Sequence, residues 1–151
     1  CLRVIIGNNL LEILVIEKPL VLNGNGYTLT STAARAINVE TTGTVTINNL
    51  NIVAGERAIN IINEASTVNL NNVTATANNN AVMIATSAGA ATLNVTNSDF
   101  TGLAVINVAG AGAQATIADT KITNVDANGI ASSTQPIIAN DVNGDSTTPT
   151  Y

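Results

Sequence analysis

Four charged side chains are spaced so that a repeating fold would bring them together in pairs. Arg35 and Arg57 are 22 residues apart, and so are Asp99 and Lys121. Two guanidinium groups on one face could hold the carboxylate of an acidic sugar, because the two groups form paired hydrogen bonds. We therefore predict Arg35, Arg57, Asp99 and Lys121 as carbohydrate-binding residues. The alternative is that they are surface charges partly neutralised by neighbours, Arg57 by Glu56 and Asp99 by Lys121 in a cross-strand ion pair.

Catalysis on a glycan would need two carboxylates on neighbouring coils, close enough to share a calcium ion or a glycosidic bond. Asp99 and Asp119 are the best pair, but we expect Asp99 on an outer face and Asp119 at a corner. The sequence has no histidine, so it lacks the commonest general base and the commonest transition-metal ligand. Its single cysteine allows no internal disulfide. We predict no catalytic residues and no enzymatic activity; an acidic-polysaccharide lyase or a glycoside hydrolase is the alternative.

Calcium is the one cofactor for which the sequence offers ligands. Asp141, Asn143 and Asp145 place oxygen atoms at alternating positions, as in the first half of a calcium-binding loop. The glycine expected after Asp145 is replaced by Ser146, and no glutamate follows in this sequence at the distance that such a loop requires. An Asn-Gly turn in a linker is the alternative.

The composition argues against two broad classes of function. A formal net charge of −5, with only five basic residues in 151, argues against nucleic-acid binding, which requires clustered Lys and Arg. No run reaches the length of about 20 apolar residues that a membrane-spanning helix needs. The apolar fraction of 46% is almost entirely aliphatic, with aromatics at 2%, and such side chains suit stacked, buried strands. Charged residues make up only 10%, so Asn, Thr and Ser supply most of the polar surface.

A repeated pattern of alternating apolar and polar residues organises the chain. Each copy is interrupted at a polar pair such as Asn48-Asn49 and then resumes. Side chains in a strand point to alternate faces, so the interruption keeps the apolar side chains inward only if the chain turns a corner. Copies begin at Val45, Val68, Leu93 and, more faintly, Ala115, which are about 22 to 25 residues apart. This spacing is typical of the coils of a solenoid.

We therefore expect about five coils of three short parallel strands, with aliphatic rows along the interior. One row should contain Ile47, Leu70, Val95 and Ile117, and another Ile59, Val82 and Val105. At the corners, Asn49, Asn72 and Asn97 should stack with their amides hydrogen-bonded along the column, and Asp119 should end the row. Asparagine suits a corner because it tolerates left-handed backbone and offers both a donor and an acceptor. We interpret these four residues as structural.

The repeat divides the chain into three parts. Residues 1–18 are strongly hydrophobic and lack the asparagine signature, so we predict an N-terminal cap over the first coil. Residues 19–131 should hold the coils, with Gly129-Ile130 as the last third strand. The alternation fades in residues 132–151, which we predict to be a polar tail or a linker within a longer protein.

At these residues the chain resembles the pectate-lyase-like superfamily of single-stranded parallel β-helices, over roughly residues 13–131. The aliphatic rows and asparagine corners carry the resemblance. The segment 18–29 is similar to the first coil of repeat regions in bacterial cell-surface and S-layer-associated proteins. The resemblance implies an all-β, right-handed parallel β-helix. The enzymes of this superfamily carry aspartate clusters with a basic residue, and this sequence does not match that pattern.

These observations predict a non-catalytic structural or adhesive β-helix module of a secreted or surface-anchored bacterial protein. Its partners would be an extracellular glycan, a surface protein, or further copies of itself through the terminal coils. A carbohydrate-binding β-helix, with or without lyase or hydrolase activity, is the first alternative. A self-assembling filament subunit is the second, because a terminal coil exposes unpaired strand edges.

Overall fold

The structure is a computed structural model that describes residues 2–63, 65–140 and 146–147. Aliphatic residues alternating with Thr and Asn favour strands, and the corners end each strand after two to five residues. The strands are β1 (Leu2–Ile5), β2 (Leu10–Leu11), β3 (Leu14–Ile16), β4 (Leu20–Asn23), β5 (Thr28–Ser31), β6 (Arg35–Val39), β7 (Thr44–Asn48), β8 (Asn51–Ala54), β9 (Arg57–Ile61), β10 (Thr67–Asn71), β11 (Thr74–Ala77), β12 (Asn80–Ile84), β13 (Thr92–Thr96), β14 (Asp99–Gly102), β15 (Ile106–Val108), β16 (Gln114–Ala118), β17 (Lys121–Asn124), β18 (Ile137–Asn140) and β19 (Ser146–Thr147). A single-turn 3-10 helix, Thr86–Ala88, lies between β12 and β13.

The strands stack into three sheets that run along a column. Sheet A contains β1, β4, β7, β10, β13 and β16, and sheet B contains β2, β5, β8, β11, β14 and β17. Sheet C contains β3, β6, β9, β12, β15 and β18 in parallel, with β19 antiparallel to β18. Neighbouring parallel strands in a sheet are thus one coil apart in the chain. The protein is an all-β parallel β-solenoid of about five coils with three strands per coil, as the sequence predicted.

Aliphatic rows along the column axis form the core. The strand register confirms the predicted row in sheet A and extends it towards the N-terminus, so that it contains Val4, Leu22, Ile47, Leu70, Val95 and Ile117. Ile47 and Leu70 lie in the middle of this row and are fully buried. Because parallel strands place equivalent residues directly above one another, each inward side chain packs against the coil on either side.

The second predicted row is wrong at one position. Ile59 pairs with Val82, but Val82 pairs with Ile106 and not with Val105. Six positions separate Thr76 from Val82, whereas five separate Thr101, which pairs with Thr76, from Ile106, which pairs with Val82. The connection into β15 is therefore one residue shorter than the connection into β12, and Ile106 lies opposite Val82. Val105 precedes the strand, although its side chain is still buried.

The column extends beyond residues 19–131 at both ends. At the N-terminal end, the segment predicted as a cap forms β1, β2 and β3, which are parallel to β4, β5 and β6. This segment therefore takes the form of a coil. At the other end, β18 lies within the predicted tail but pairs with β15, and Ile137 is buried in the core.

Gly129-Ile130 is not the last third strand, because the chain makes a turn there. The Asp126 carboxylate accepts hydrogen bonds from the backbone N–H groups of Asn128 (2.8 Å) and Ile130 (2.9 Å). Gly129 adopts a positive φ of 77° in this turn, a conformation that glycine adopts without steric cost. The third strand of the coil is β18, seven residues further along the chain.

Sheets A and B are joined by tight corners with left-handed backbone. Asn49, Asn72, Asn97 and Asp119 all have φ between 50° and 55°, and each begins a corner of two residues. Asn and Asp adopt this conformation more readily than other residues with a side chain. The predicted corner positions are therefore confirmed.

The second coil has a longer corner, residues 24–27. Its positive φ angles are at Asn25 (51°) and Gly26 (77°). Gly24 is required for a different reason: a Cβ atom at this position would lie 2.6 Å from the carbonyl oxygen of Asn49. This corner consequently packs directly against the corner of the next coil.

Candidate functional site

The corner asparagines form hydrogen bonds along the column, but they do not form one continuous row. Asn72 Nδ2 donates to Asn49 Oδ1 over 2.9 Å, and Asn49 Nδ2 donates to Asn23 Oδ1 over 3.3 Å. Asn97 Nδ2 instead donates to Asn71 Oδ1 over 3.3 Å. These amides join adjacent coils, which agrees with the structural interpretation of the corner residues.

A second set of polar rows covers the outer face of sheet A. Asn94 Nδ2 donates to Asn69 Oδ1 over 2.9 Å, and Asn69 Nδ2 donates to Thr46 Oγ1 over 3.3 Å. We call the outward positions of β7, β10, β13 and β16 the sheet A polar face. Its three rows contain Thr44, Thr67, Thr92 and Gln114; Thr46, Asn69, Asn94 and Thr116; and Asn48, Asn71, Thr96 and Ala118. None of these positions carries a formal charge, so no like charges repel along the column.

The structure places Asp99 and Lys121 at paired positions on β14 and β17. Asp99 is half-buried and Lys121 is exposed. No nitrogen–oxygen contact within 4.0 Å joins the two side chains, so the charges are neighbours without a closed ion pair. Asp119 belongs to the corner between sheets A and B and does not share the face that carries Asp99.

Arg35 and Arg57 occupy paired positions at the start of β6 and β9, as the spacing predicted. The nearest carboxylate contact is between Glu56 Oε1 and Arg57 Nε, at 3.9 Å, which is too long for a hydrogen bond. The Nε atoms of both arginines are buried and make no hydrogen bond. The structure thus brings two cations together, and each has a buried donor without an acceptor.

Sequence reasoning missed the polar residue that supports this pair. Asn60 is almost fully buried; its Oδ1 accepts from Arg57 Nη1 and its Nδ2 donates to Asn38 Oδ1, both over 3.4 Å. Asn38 and Asn60 are themselves paired on β6 and β9. The signal was present in the sequence, since Arg-Ala-Ile-Asn occurs at 35–38 and again at 57–60.

One concave feature of the described surface lies away from these side chains. An open depression of ≈ 170 Å³ lies between the first and second coils, and it is lined by Leu11, Glu12, Ile13, Thr30, Ser31, Thr32 and Ala33. None of the predicted site residues lines it. Within residues 2–63, 65–140 and 146–147, no three His, Cys, Asp or Glu side chains are grouped so that they could hold a metal ion. The predicted calcium ligands Asp141, Asn143 and Asp145 lie outside the described residues.

Helical structure in the described part of the chain amounts to the turn at Thr86–Ala88, and no candidate membrane-spanning helix is found there. Comparisons with protein-family models, with curated proteins and with solved structures each found no match to this chain. Its function must therefore be inferred from its own residues.

Proposed function

We propose that the chain is a non-catalytic β-helix module with a structural or adhesive role in a secreted or surface-anchored bacterial protein. The observation that carries this proposal is the sheet A polar face. Its amides and hydroxyls hydrogen-bond to the equivalent residues of the next coil. Polar groups used in this way add to the stability of the column.

The polar face suits a rigid spacer for an energetic reason. A hydrogen bond between side chains contributes about 0.5–1.5 kcal/mol net. Because the bonds repeat from coil to coil, this contribution grows with the number of coils. The face is also uncharged and repeats at about 4.8 Å, the spacing of neighbouring strands. Such a surface can contact a neutral, repeating partner without cost from desolvated charges.

We also propose the right-handed arrangement of the pectate-lyase-like superfamily and a location outside the cell or on the bacterial surface. Support comes from the aliphatic rows, the asparagine corners with left-handed backbone, and an exterior with few charges.

Carbohydrate binding is the second candidate function, and the arginine pair is the observation that favours it. A buried N–H without an acceptor costs about 1–3 kcal/mol. Arg35 Nε and Arg57 Nε both carry this cost. Because these two atoms are buried, a carboxylate that bridges the pair would accept hydrogen bonds from the terminal nitrogens of the two guanidinium groups. The ligand class would be an acidic polysaccharide, with Asp99 and Lys121 contributing on sheet B.

Two assays test the two candidate functions, the first for catalytic activity and the second for binding of an acidic polysaccharide. The purified chain is incubated with polygalacturonate and with neutral dextran, with and without calcium; we expect no unsaturated or reducing product in any arm. Product formation from either polymer would overturn the non-catalytic proposal.

If the arginine pair binds uronate, Arg57→Gln should weaken retention on a polygalacturonate gel several-fold, while Arg3→Gln on the first coil should not. Equal retention of the two variants would eliminate the second candidate.

A further inference from the structure

Asparagine followed by glycine is a sequence that modifies itself without an enzyme. The chain contains four such pairs, which are Asn23-Gly24, Asn25-Gly26, Asn128-Gly129 and Asn143-Gly144. The last pair lies outside the described residues. The other three have very different surroundings, and this difference predicts which of them reacts in the folded chain.

The reaction is deamidation, and its only other reactant is water. The backbone nitrogen of the glycine bonds to the Cγ atom of the asparagine, the Cγ–Nδ2 bond breaks, and the amide proton leaves with Nδ2 as ammonia. Water then opens the resulting succinimide ring at either carbonyl carbon, which gives aspartate or isoaspartate. Glycine favours ring closure because it has no Cβ atom and a flexible backbone. The reaction therefore requires a side-chain amide that can rotate and a glycine nitrogen that it can reach.

The pair Asn23-Gly24 is held by the next coil. Asn23 is half-buried, and its Oδ1 accepts a hydrogen bond from Asn49 Nδ2 over 3.3 Å. The backbone N–H of Gly24 donates to the carbonyl oxygen of Asn48 over 2.8 Å. Both contacts would have to break before the ring could close.

The pair Asn25-Gly26 is exposed, but it is held on both sides. Asn25 Nδ2 donates to the carbonyl oxygen of Ile6 on the first coil over 3.0 Å. The backbone N–H of Gly26 donates to the carbonyl oxygen of Asn49 on the third coil over 2.7 Å. Ring closure would again have to break contacts between coils.

The pair Asn128-Gly129 has no such contacts. Residues 127–131 are all exposed, and the side chain of Asn128 makes no hydrogen bond within the described part of the chain. A Cβ atom added at Gly129 would have no neighbour within 4 Å, so the space around the reacting nitrogen is open. The asparagine side chain can therefore rotate towards this nitrogen.

The backbone around Asn128 is restrained only through the turn to which it belongs. The Gly129 N–H donates to the carbonyl oxygen of Asp126 over 2.9 Å, and the Asp126 carboxylate holds the N–H groups of Asn128 and Ile130. All of these partners lie within five residues of sequence, so opening the turn separates no coils. Local opening of an exposed segment costs much less free energy than opening of packed strands.

We infer that Asn128 is a site of spontaneous deamidation in the folded chain, whereas Asn23 and Asn25 are protected by the column. Isoaspartate at this position adds its Cβ atom to the main chain and places a new carboxylate close to that of Asp126. Two like charges at short distance repel each other. The longer backbone also moves the N–H groups that Asp126 holds. The modification therefore opens the turn that connects β17 to β18, and this inference is independent of the proposed function.

Peptide mapping by tandem mass spectrometry of the aged full chain tests the inference. After incubation at mildly alkaline pH, we expect conversion at Asn128 to be at least about tenfold faster than at Asn23 or Asn25, because each of those sites must first break hydrogen bonds between coils. Conversion at Asn128 should accelerate as the hydroxide concentration rises, since the attacking glycine nitrogen must lose its proton. Equal rates at the three sites, or faster conversion at Asn23 or Asn25, would overturn the inference.

The same chain unfolded in guanidinium chloride is the matched control. The three sites should then react at similar rates, because all have glycine as the next residue and none is held by the column. If Asn128 stayed unmodified in the folded chain over a period in which the unfolded chain reacts at all three sites, the inference would be wrong.

Asn128→Gln tests the structural consequence. Glutamine has a longer side chain and would have to close a larger ring, so this variant should not be modified at residue 128. Hydrogen exchange of residues 125–131 should become faster as the wild-type chain ages, whereas it should stay constant in the variant. Exchange that is unchanged in fully converted wild-type chain would show that the modification does not open the turn.

Discussion

Replacing Ile47 with aspartate should cost more than about 4 kcal/mol in the free energy of unfolding, because it buries a carboxylate without a partner. Ile47 is fully buried between Leu22 and Leu70, its neighbours on the adjoining coils. The substitution therefore disrupts two interfaces between coils at once. Urea denaturation followed by circular dichroism measures the loss.

The matched control is Thr46→Asp, one residue earlier on β7. Thr46 faces outward, and its hydroxyl accepts a hydrogen bond from Asn69 that a carboxylate oxygen can also accept. We expect this variant to lose no more than about 1 kcal/mol. If Ile47→Asp kept the wild-type melting temperature, the inward assignment of this row would be wrong.

Truncation of Phe100 should have the second largest effect. Phe100 is the only phenylalanine in the chain and is fully buried in sheet B. Its neighbours in the row are Ala75 on one side and Ile122 on the other. The aromatic ring compensates for the small side chain of Ala75, so its removal leaves a cavity. We expect Phe100→Ala to cost about 3–5 kcal/mol, measured by the same denaturation experiment.

A second substitution tests whether Phe100 and Ala75 share this space. Ala75→Leu alone should destabilise the protein by overpacking, by about 1–3 kcal/mol. Combined with Phe100→Ala, the added leucine fills part of the cavity, so the double variant should be more stable than the sum of the two losses predicts. Strict additivity would contradict the shared packing. Thr101→Ala on the outer side of β14 is the control and should have little effect.

The fold could be predicted from the sequence because two repeating features act together: the alternation of apolar and polar residues, and its regular interruption. Alternation with period two decides which residues face inward, and the interruption at Asn49, Asn72 and Asn97 marks the corners. Together they determined the row through Ile47 and Leu70, which the strand register reproduces.

The connections could not be predicted in the same way. The shorter connection before β15 and the turn held by Asp126 do not repeat from coil to coil, so comparison between copies gives no information about them. Both errors, at Val105 and at Gly129-Ile130, fall in such non-repeating segments. The first coil was likewise hard to recognise, because its outward positions are apolar and lack the asparagine signature.

The candidate site could likewise be predicted only where its residues repeat from coil to coil. The 22-residue spacing correctly paired Arg35 with Arg57 and Asp99 with Lys121 on adjacent strands. Spacing could not show that both arginine Nε atoms are buried without acceptors, nor that Asn97 bonds to Asn71. Those features depend on side-chain conformation in three dimensions, which the repeat does not specify.

The central claim is that successive coils stack in parallel and in register. Nuclear Overhauser contacts between methyl groups test it most directly. We predict contacts from Ile47 to both Leu22 and Leu70, and from Leu70 to Val95. Contacts from Ile47 to residues one position out of register, or a pattern of antiparallel pairing among β4, β7 and β10, would contradict the solenoid and the functional proposals that depend on it.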